Sequence, residues 1–242
     1  MLAKPRGLHL ERERVPRPAP SGRRAVHPMP STLQLAAAAQ WPNLSPMSLA
    51  QRWAATIAPL ASAPASDLWQ AIVTRYREPH RAYHTLHHIE ACFHEFDAFS
   101  MKSGKALELA LFFHDVIYDP RAPDNEAASA RFAAEKLAAI GVDQPLIQDV
   151  ERLILVTKHA AAPSRDDERL LVDIDLSILG TETRTFDVYE REVRSEYDFV
   201  PEEAFRAGRA HILESFLARA AIFTTAPTAW CASRNGTSLL TR

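Results

Sequence analysis

Apolar side chains recur at intervals of three and four residues along the chain from Ser48 onward. This spacing places them on one face of an α-helix and is typical of helices that pack against a core. The clearest examples are Leu68, Ile72, Val73 and Tyr76, followed by Leu86, Ile89, Phe93 and Phe96. The runs LILV and LLVDI could be strands, but each lies inside a longer helical period and no alternating pattern persists. The pattern predicts an all-α fold, built as a single compact helical bundle.

Residues that begin and end helices divide this pattern into successive segments. Ser66 and Asp124 are predicted N-caps, Pro145 suits the first turn of a helix, and Gly141 is placed to end one. The later predicted helices are KALELALFFHDV, NEAASARFAAEKLAAI, PLIQDVERLILVTKH, DERLLVDIDLSIL, FDVYEREVRSEY and EEAFRAGRAHILESFLARAAIF. We therefore predict one helical domain over residues 48–225.

The two ends of the chain lack this periodicity. Residues 1–47 are rich in proline, and the first 30 carry seven basic and two acidic side chains. A segment without an apolar face cannot bury a core, so we predict a disordered basic extension there. A transit peptide, or an over-long start with the true start near Met29 or Met47, is an alternative for this segment. Residues 226–242 are predicted to form an irregular tail.

Composition narrows the class of protein. Hydrophobic residues make up 47% of the chain and charged residues 24%, as in ordinary globular domains. The net charge of −2 conceals a mildly acidic body behind the basic extension, which gives no reason to expect nucleic-acid binding. The longest apolar run, Leu109 to Phe113, is far too short to span a bilayer. Two cysteines cannot build a disulfide framework and favour a reducing compartment, so we predict a cytoplasmic protein.

Histidine and aspartate residues interrupt the predicted helices at three places. His84 and His88 are four residues apart, so within a helix they share one face. His114 and Asp115 directly follow the most apolar run, where a carboxylate is costly to bury without a partner. Asp173 and Asp175 are two residues apart, so only one of them can face the same site. Imidazole and carboxylate donors on three helices suggest a shared first-row divalent cation.

The order of these motifs resembles the HD superfamily of metal-dependent phosphohydrolases, which are helical proteins named for a His-Asp doublet. The resemblance spans roughly residues 76–223. YHTLHH is similar to the Tyr-His-Asn-x-x-His segment of the cyclic-nucleotide phosphodiesterase branch, with Thr85 in place of asparagine. FFHDVIYD resembles the doublet helix, and DIDLS is similar to the Ala-Asp-Leu-Ser segment of that branch. The whole series looks closest to an uncharacterised bacterial group of predicted HD phosphohydrolases.

The resemblance implies roles for particular residues. The implied metal ligands are His88, His114, Asp115 and Asp175. They would hold one divalent ion per chain (Mn, Fe, Co, Ni or Zn), with His159 as the candidate for a second. His84 aligns with the histidine that protonates the leaving oxygen, which makes it the candidate general acid. His87 is then expected to be structural, and Asp173 to face away from the site and orient a neighbour.

Further candidates concern water and phosphate. Some HD hydrolases place a catalytic glutamate after the doublet, so Glu126 is a candidate to orient water, although acids are also favoured in a first helical turn. Seven glycines leave no P-loop or dinucleotide fingerprint, so phosphate recognition must come from side chains and metal. The candidates for phosphate binding are Arg81, Lys158, Arg194 and Arg209, of which Arg194 and Arg209 lie in Arg-x-Glu-Tyr and Gly-Arg segments similar to those of the resembling group.

The predicted function is metal-dependent hydrolysis of a phosphoester, with a nucleotide or related small phosphorylated metabolite as substrate. No nucleic-acid or membrane partner is predicted, and the oligomeric state is left open. A metal- or nucleotide-binding regulatory module with little turnover is one alternative, and it would not need an acid such as His84. An HD-type di-iron oxygenase is another, and it would need two metal sites.

Overall fold

The computed structural model describes residues 47–99 and 104–225, which all belong to one unit, Trp41–Arg242. The predicted N-terminal extension before Met47 and the predicted C-terminal tail lie outside the described residues. Within them the chain forms nine α-helices, one short 3₁₀-helix and no strand, which confirms the all-α prediction. The helices are α1 (Leu49–Ile57), α2 (Ser66–Tyr76), α3 (Leu86–Ala98), α4 (Lys105–Phe113), α5 (Asn125–Ala139), α6 (Gln144–Val156), α7 (Asp166–Asp175), the 3₁₀-helix (Leu176–Gly180), α8 (Thr183–Glu196) and α9 (Glu202–Leu217).

Helix α4 lies at the centre of the bundle and packs against α1, α3, α5, α6 and α7. Its sequence KALELALFF leaves few polar positions, and six of its nine residues are buried. A helix that is apolar on nearly every side is stable only when neighbours surround it. Because α4 ends at Phe113, the chain delivers His114 and Asp115 straight from the centre of the core into the turn that follows.

An aromatic cluster packs around Phe112, close to the C-terminal end of α4. The Trp53 ring meets Phe112 edge-on with ring centroids 5.3 Å apart, and it stacks on Trp69 at 6.1 Å. Such pairs add about 0.5–1.5 kcal/mol each beyond the burial of their apolar area. This packing fixes the rotation of α4 and thereby the direction in which the His-Asp doublet leaves it.

A second, smaller apolar cluster lies under the C-terminal helices. Tyr83, from the segment before α3, packs against this cluster and also contacts the imidazole of His88. The segment that carries His84 is therefore fixed to the second cluster through Tyr83. The cluster comprises Val172, Leu176, Ile178, Leu179, Phe186, Phe216 and Phe223.

Several helix ends differ from those that the sequence predicts: α4 ends at Phe113 and not Val116, α9 ends at Leu217 and not Phe223, and three other ends bear on residues singled out from the sequence. Helix α3 begins at Leu86, because the Thr85 hydroxyl accepts the His87 N–H at 3.3 Å and caps it there. His84 therefore lies in the turn before the helix and does not share a helical face with His88. Helix α2 is preceded by Ala65, so Ser66 is its first residue and not its cap. Helix α6 ends at Val156 and leaves His159 outside it.

Two further features concern α5 and the helices as a set. Asp124 occupies the N-cap position of α5, as predicted, but its side chain makes no capping hydrogen bond. At the other end Gly141 has a φ of 78° and lets the chain turn back, as predicted for a glycine after a helix.

None of the helices in the described part of the chain is both long and apolar enough to cross a membrane.

Candidate metal centre

All four predicted metal ligands come together at one point of the bundle. Helix α3 supplies His88, the turn after α4 supplies His114 and Asp115, and the last residue of α7 is Asp175. Asp175 Oδ1 lies 3.3 Å from His88 Nε2 and 3.5 Å from His114 Nε2. The two imidazole Nε2 atoms are 3.1 Å apart. Asp115 Oδ2 lies 3.2 Å from His114 Nε2 and 3.6 Å from His88 Nε2.

These distances match the edges of a single coordination polyhedron. With bonds of about 2.0 Å from metal to nitrogen or oxygen, neighbouring donors of a tetrahedral site lie about 3.3 Å apart. The five donor separations run from 3.1 to 3.6 Å. One ion could therefore contact both imidazoles and both carboxylates. The buried group of His88, Cys92, His114 and Asp175, whose donor atoms all lie within 4.8 Å of one another, could likewise hold a metal ion.

Hydrogen bonding prepares His114 for coordination. Its Nδ1 lies 3.1 Å from the Leu111 carbonyl oxygen, which can only accept. The proton of the neutral ring is therefore placed on Nδ1, and the lone pair of Nε2 faces His88 and the carboxylates. Two imidazole Nε2 atoms at 3.1 Å from each other need a proton or a cation between them.

The electrostatics of the site favour positive charge. Burial lowers the pKa of His114, but Asp115 and Asp175 outweigh it and hold that pKa well above its usual value. Burial would raise the pKa of Asp175, but hydrogen bonds to His114, His159 and His88 keep it well below its usual value. The pKa of Asp115 is likewise lowered, with His114 outweighing the effect of burial. The field that stabilises a proton on His114 would also stabilise a bound cation.

The site is closed on one side and open on the other. The side chains of His88 and His114 are 3% and 1% exposed, whereas those of Asp115 and Asp175 are 18% and 14% exposed. His84, at 22%, shares the open side. A ligand from solvent would therefore meet the carboxylates and His84 first, with the imidazoles beneath them.

His84 is fixed next to this centre by three contacts. Its Nδ1 lies 2.7 Å from Glu196 Oε2, its ring stacks on Tyr118 at 4.2 Å, and Tyr83 meets it edge-on at 5.0 Å. The ring centroids of His84 and His88 are 6.0 Å apart, although the backbone between them is not helical throughout. Burial lowers the pKa of His84, but Glu196 outweighs it and raises that pKa overall.

Glu196 organises the whole turn that carries His84. Its Oε1 accepts the backbone N–H groups of Ala82, Tyr83 and His84 at 2.8, 2.8 and 2.9 Å. Its Oε2 accepts the Tyr118 hydroxyl at 2.8 Å as well as facing His84. Burial would raise the pKa of Glu196, but His84 and these donors lower it to about 2, so the carboxylate is ionised. It is buried at the C-terminal end of α8.

Arg81 does not have the predicted role in phosphate binding. Its guanidinium is buried and donates to the carbonyl oxygens of His84 at 3.0 Å, Asp115 at 2.8 Å and Val116 at 3.1 Å. Its remaining donors bond to Glu78 at 3.2 and 3.3 Å. Arg81 therefore ties the turn that bears His84 to the His-Asp doublet.

His159 lies against the far side of Asp175. Its Nε2 is 3.1 Å from Asp175 Oδ2, while Oδ1 of the same carboxylate faces His88 and His114. The backbone of His159 has a φ of 53°, a left-handed conformation that costs a non-glycine residue roughly 1–2 kcal/mol. Its Nδ1 is buried without a hydrogen-bond partner among the described residues. The contact with Asp175 and the edge-on packing against Phe216 at 5.7 Å hold the ring in this position.

Asp173 faces away from the centre, as expected from its spacing. Its Oδ2 accepts the backbone N–H groups of Thr224 at 2.8 Å and Thr225 at 2.6 Å, and also the Thr225 hydroxyl. Burial raises its pKa despite these donors. Asp173 thus anchors the segment after α9 and has no contact with the predicted ligands.

Three other predicted residues, Glu126, Lys158 and Arg194, have no contact with the four predicted metal ligands among the hydrogen bonds and ion pairs of the described residues. Glu126 is half-buried in the first turn of α5, with Oε2 buried and without a partner among the described residues. Lys158 is exposed beside His159. Arg194 bonds to Glu202 at 2.8 Å and to two backbone carbonyls, which gives it a structural role at the α8–α9 connection.

Arg209 is connected to the centre through a chain of aromatic contacts. It pairs with Glu190 at 2.6 Å and lies over the ring of Tyr189 at 4.9 Å. That ring in turn meets Tyr83, with ring centroids 4.5 Å apart. Tyr83 contacts both His84 and His88, so two aromatic rings separate Arg209 from the centre.

Three residues of the site are not predicted from the sequence: Cys92, Tyr118 and Glu196. A sequence clue exists for Cys92, which follows His88 by four residues and so shares its face of α3. Glu196 lies inside the Arg-x-Glu-Tyr segment, of which only Arg194 is predicted from the sequence to be functional. Tyr118 lies inside the segment FFHDVIYD, but only the His-Asp doublet of that segment is predicted to be functional, and the bond of Tyr118 to Glu196 joins residues distant in sequence.

Comparison of the chain with protein-family models, with curated proteins and with solved structures finds no match. The class of protein that fold and site define is therefore an all-α domain with a candidate centre for a metal ion, formed by buried histidine and cysteine side chains and a partly exposed aspartate.

Proposed function

We propose that the protein is a metal-dependent phosphohydrolase of the HD type, acting on a nucleotide or related small phosphorylated metabolite. The observation that carries the proposal is the placement of His84. Its ring lies 6.0 Å from that of His88, on the open side of the candidate centre, and is fixed by Glu196. A metal-binding module without turnover has no need of a fixed imidazole there. The resemblance of the ordered motifs to the HD superfamily supports the same conclusion.

His88, His114, Asp115 and Asp175 would hold the ion, since their donor separations fit one polyhedron of nitrogen and oxygen ligands. Such a set suits Mn, Fe, Co, Ni or Zn. When bound, the ion would neutralise phosphate oxygens and activate water for attack on phosphorus.

His84 would donate the proton that the leaving oxygen needs. Glu196 accepts the Nδ1–H and thereby leaves Nε2, which has no hydrogen bond to any described residue, as the atom facing substrate. Glu196 outweighs burial and raises the pKa of His84, which favours the protonated form of the ring. Tyr118 and Tyr83 restrict the ring to one orientation, as general acid catalysis requires.

Lys158 and Arg209 are the predicted phosphate-binding residues that this proposal retains. Lys158 is exposed next to His159, and Arg209 lies two aromatic rings from His88. Glu126 is retained as a candidate to orient water, since one of its buried oxygens has no partner among the described residues.

One observation favours the di-iron oxygenase as a second candidate. Asp175 presents Oδ1 to His88 and His114 and Oδ2 to His159, the arrangement of a carboxylate that could bridge two ions. Counting metal per chain separates the candidates. One ion fits the hydrolase proposed above, and two irons would favour the oxygenase.

The test begins with a screen of metal-loaded protein against nucleoside mono- and triphosphates, cyclic dinucleotides and guanosine tetraphosphate. The decisive comparison then uses His84→Ala with two esters of the same phosphate. General acid catalysis is worth roughly 10²–10⁴-fold, so turnover of an alkyl ester should fall by about that factor. An activated aryl ester, whose leaving group needs no proton, should lose far less, and bound metal should be unchanged.

His87→Ala is the matched control, because His87 is the neighbouring histidine and contacts Glu90 at 3.5 Å. It should change neither activity by more than a small factor. Equal losses on both esters for His84→Ala, with metal retained, would argue for substrate positioning by His84. Absence of turnover with every phosphoester would favour the regulatory module.

A further inference from the structure

The buried thiol of Cys92 lies beside the candidate centre. Cys92 follows His88 by one helical turn on α3 and is 1% exposed. Its Sγ lies 3.7 Å from Nε2 and 3.8 Å from Nδ1 of His88. A thiolate bound at about 2.3 Å and an imidazole bound at about 2.0 Å would lie about 3.5 Å apart around a tetrahedral ion. The separation of Sγ from Nε2 is close to this value, and the similar distance to Nδ1 shows that the sulfur also lies alongside the ring.

Cys92 also belongs to a set of four donors, to which Asp115 of the proposed function would add a fifth. Its sulfur, both imidazoles and Asp175 all lie within 4.8 Å of one another, so one ion could reach all four. Buried cysteines commonly serve as small apolar side chains, and Cys92 does contribute to the main core. The same position, however, also brings the sulfur within 4.8 Å of donor atoms of two imidazoles and a carboxylate.

We infer that Cys92 is a ligand of the metal ion, so that the resident cofactor is a thiophilic divalent ion such as Zn²⁺ or Fe²⁺ and not Mg²⁺ or Mn²⁺. This inference rests on the metal centre of the proposed function and specifies its ion. Thiolate donors select such ions, whereas sites of carboxylates and water suit Mg²⁺ and Mn²⁺. The sulfur loses its proton to solvent as the ion binds, and the metal–sulfur bond replaces the S–H bond.

Cobalt substitution tests the inference without any assay of activity. Co²⁺ bound to a thiolate has an intense charge-transfer band in the near ultraviolet that Co²⁺ bound by nitrogen and oxygen lacks. The chain has two cysteines, Cys92 and Cys231, so the assignment needs two variants. We expect the band in the wild type and in Cys231→Ser, at one equivalent of Co²⁺, and its loss in Cys92→Ser. Cys92→Ser should also lower the affinity for Zn²⁺ by about tenfold or more while changing that for Mn²⁺ less.

The failures of the two proposals are distinguishable. Stoichiometric Co²⁺ binding by the wild type without a charge-transfer band would overturn the inference and leave the metal centre intact. Loss of the band in Cys231→Ser would also overturn it. Absence of any Co²⁺ binding would overturn the metal centre itself, and the role of Cys92 with it. Because the wild-type spectrum and the Cys231 variant are decisive alone, the test does not depend on the folding of Cys92→Ser.

Discussion

His84 Nδ1 lies 2.7 Å from Glu196 Oε2, although 112 positions separate the two residues in the chain. The same carboxylate accepts three consecutive backbone N–H groups of the turn that carries His84. One side chain therefore fixes both the backbone and the imidazole of the proposed acid. Bringing α8 against this turn completes the site, so folding of the C-terminal helices and formation of the site are coupled.

Replacing Glu196 by glutamine should lower the pKa of His84, because a carboxylate stabilises the imidazolium and a neutral amide does not. Titration of the histidine ring resonances by NMR in metal-free protein measures this directly. Glu190→Gln is the control, since Glu190 lies on the same helix but pairs with Arg209. An unchanged His84 pKa in Glu196→Gln would show that the 2.7 Å contact does not govern its charge.

Substitutions of Asp173 and Asp175 should differ in how much metal the protein retains. Asp175→Ala removes a donor that lies 3.3 Å from His88 Nε2, so bound metal should be lost, as it should in His114→Ala and Asp115→Ala. Asp173→Asn should retain metal but lower the melting temperature, because Asp173 accepts hydrogen bonds from Thr224 and Thr225. Elemental analysis after dialysis against dilute metal gives the result. Metal lost from Asp173→Asn and kept in Asp175→Ala would mean that the wrong carboxylate is assigned.

Features that depend on residues close together in the sequence could be predicted, whereas contacts between residues far apart in the sequence could not. The helices and the buried α4 follow from apolar periodicity, which is local and survives in any single sequence. The prediction that His84 lies in α3 is wrong, because the Thr85 side chain caps the helix and makes Leu86 its first residue. The four-residue spacing of the two histidines fits a helix but does not determine where the helix begins. Glu196 and the guanidinium of Arg81 act on backbone groups far along the chain, and no local pattern encodes such contacts.

Arg81→Met should destabilise the fold strongly. It would leave the carbonyl oxygens of His84, Asp115 and Val116 without their donors, and each unsatisfied buried group costs about 1–3 kcal/mol. We expect a loss of at least about 3 kcal/mol in urea unfolding. Arg75→Met is the control, because Arg75 bonds to the same Glu78 from the surface and such pairs contribute about 1 kcal/mol or less. Similar losses in the two variants would contradict the structural role of Arg81.

Two glycines should respond in opposite directions to alanine. Gly141 has a φ of 78°, and an added Cβ would lie 1.9 Å from the Ser62 hydroxyl oxygen, so Gly141→Ala should be destabilising by at least about 1 kcal/mol. Gly208 lies within α9, and a Cβ added there would meet no atom of another part of the chain within 4 Å. Gly208→Ala should therefore stabilise the helix by about 0.5–1 kcal/mol. Thermal unfolding of both variants measures the two effects, and a stabilising Gly141→Ala would contradict the left-handed turn.

Glu168 should make stability depend on pH in the acid range. Burial would raise its pKa, but hydrogen bonds from the Ser164 backbone at 2.8 Å and Arg152 at 2.8 Å lower that pKa to about 2. A carboxyl whose pKa is lower in the folded than in the unfolded chain contributes stability above the unfolded value of about 4.3. That contribution is lost as the pH falls from there towards about 2.

Glu168→Gln should be less stable than the wild type at pH 7, and the difference should shrink through this window. Denaturant unfolding at several pH values measures it, with Glu203→Gln, an exposed glutamate of α9, as control. A difference between wild type and Glu168→Gln that stays constant from pH 7 to pH 2 would show that the hydrogen bonds do not depend on the charge of Glu168.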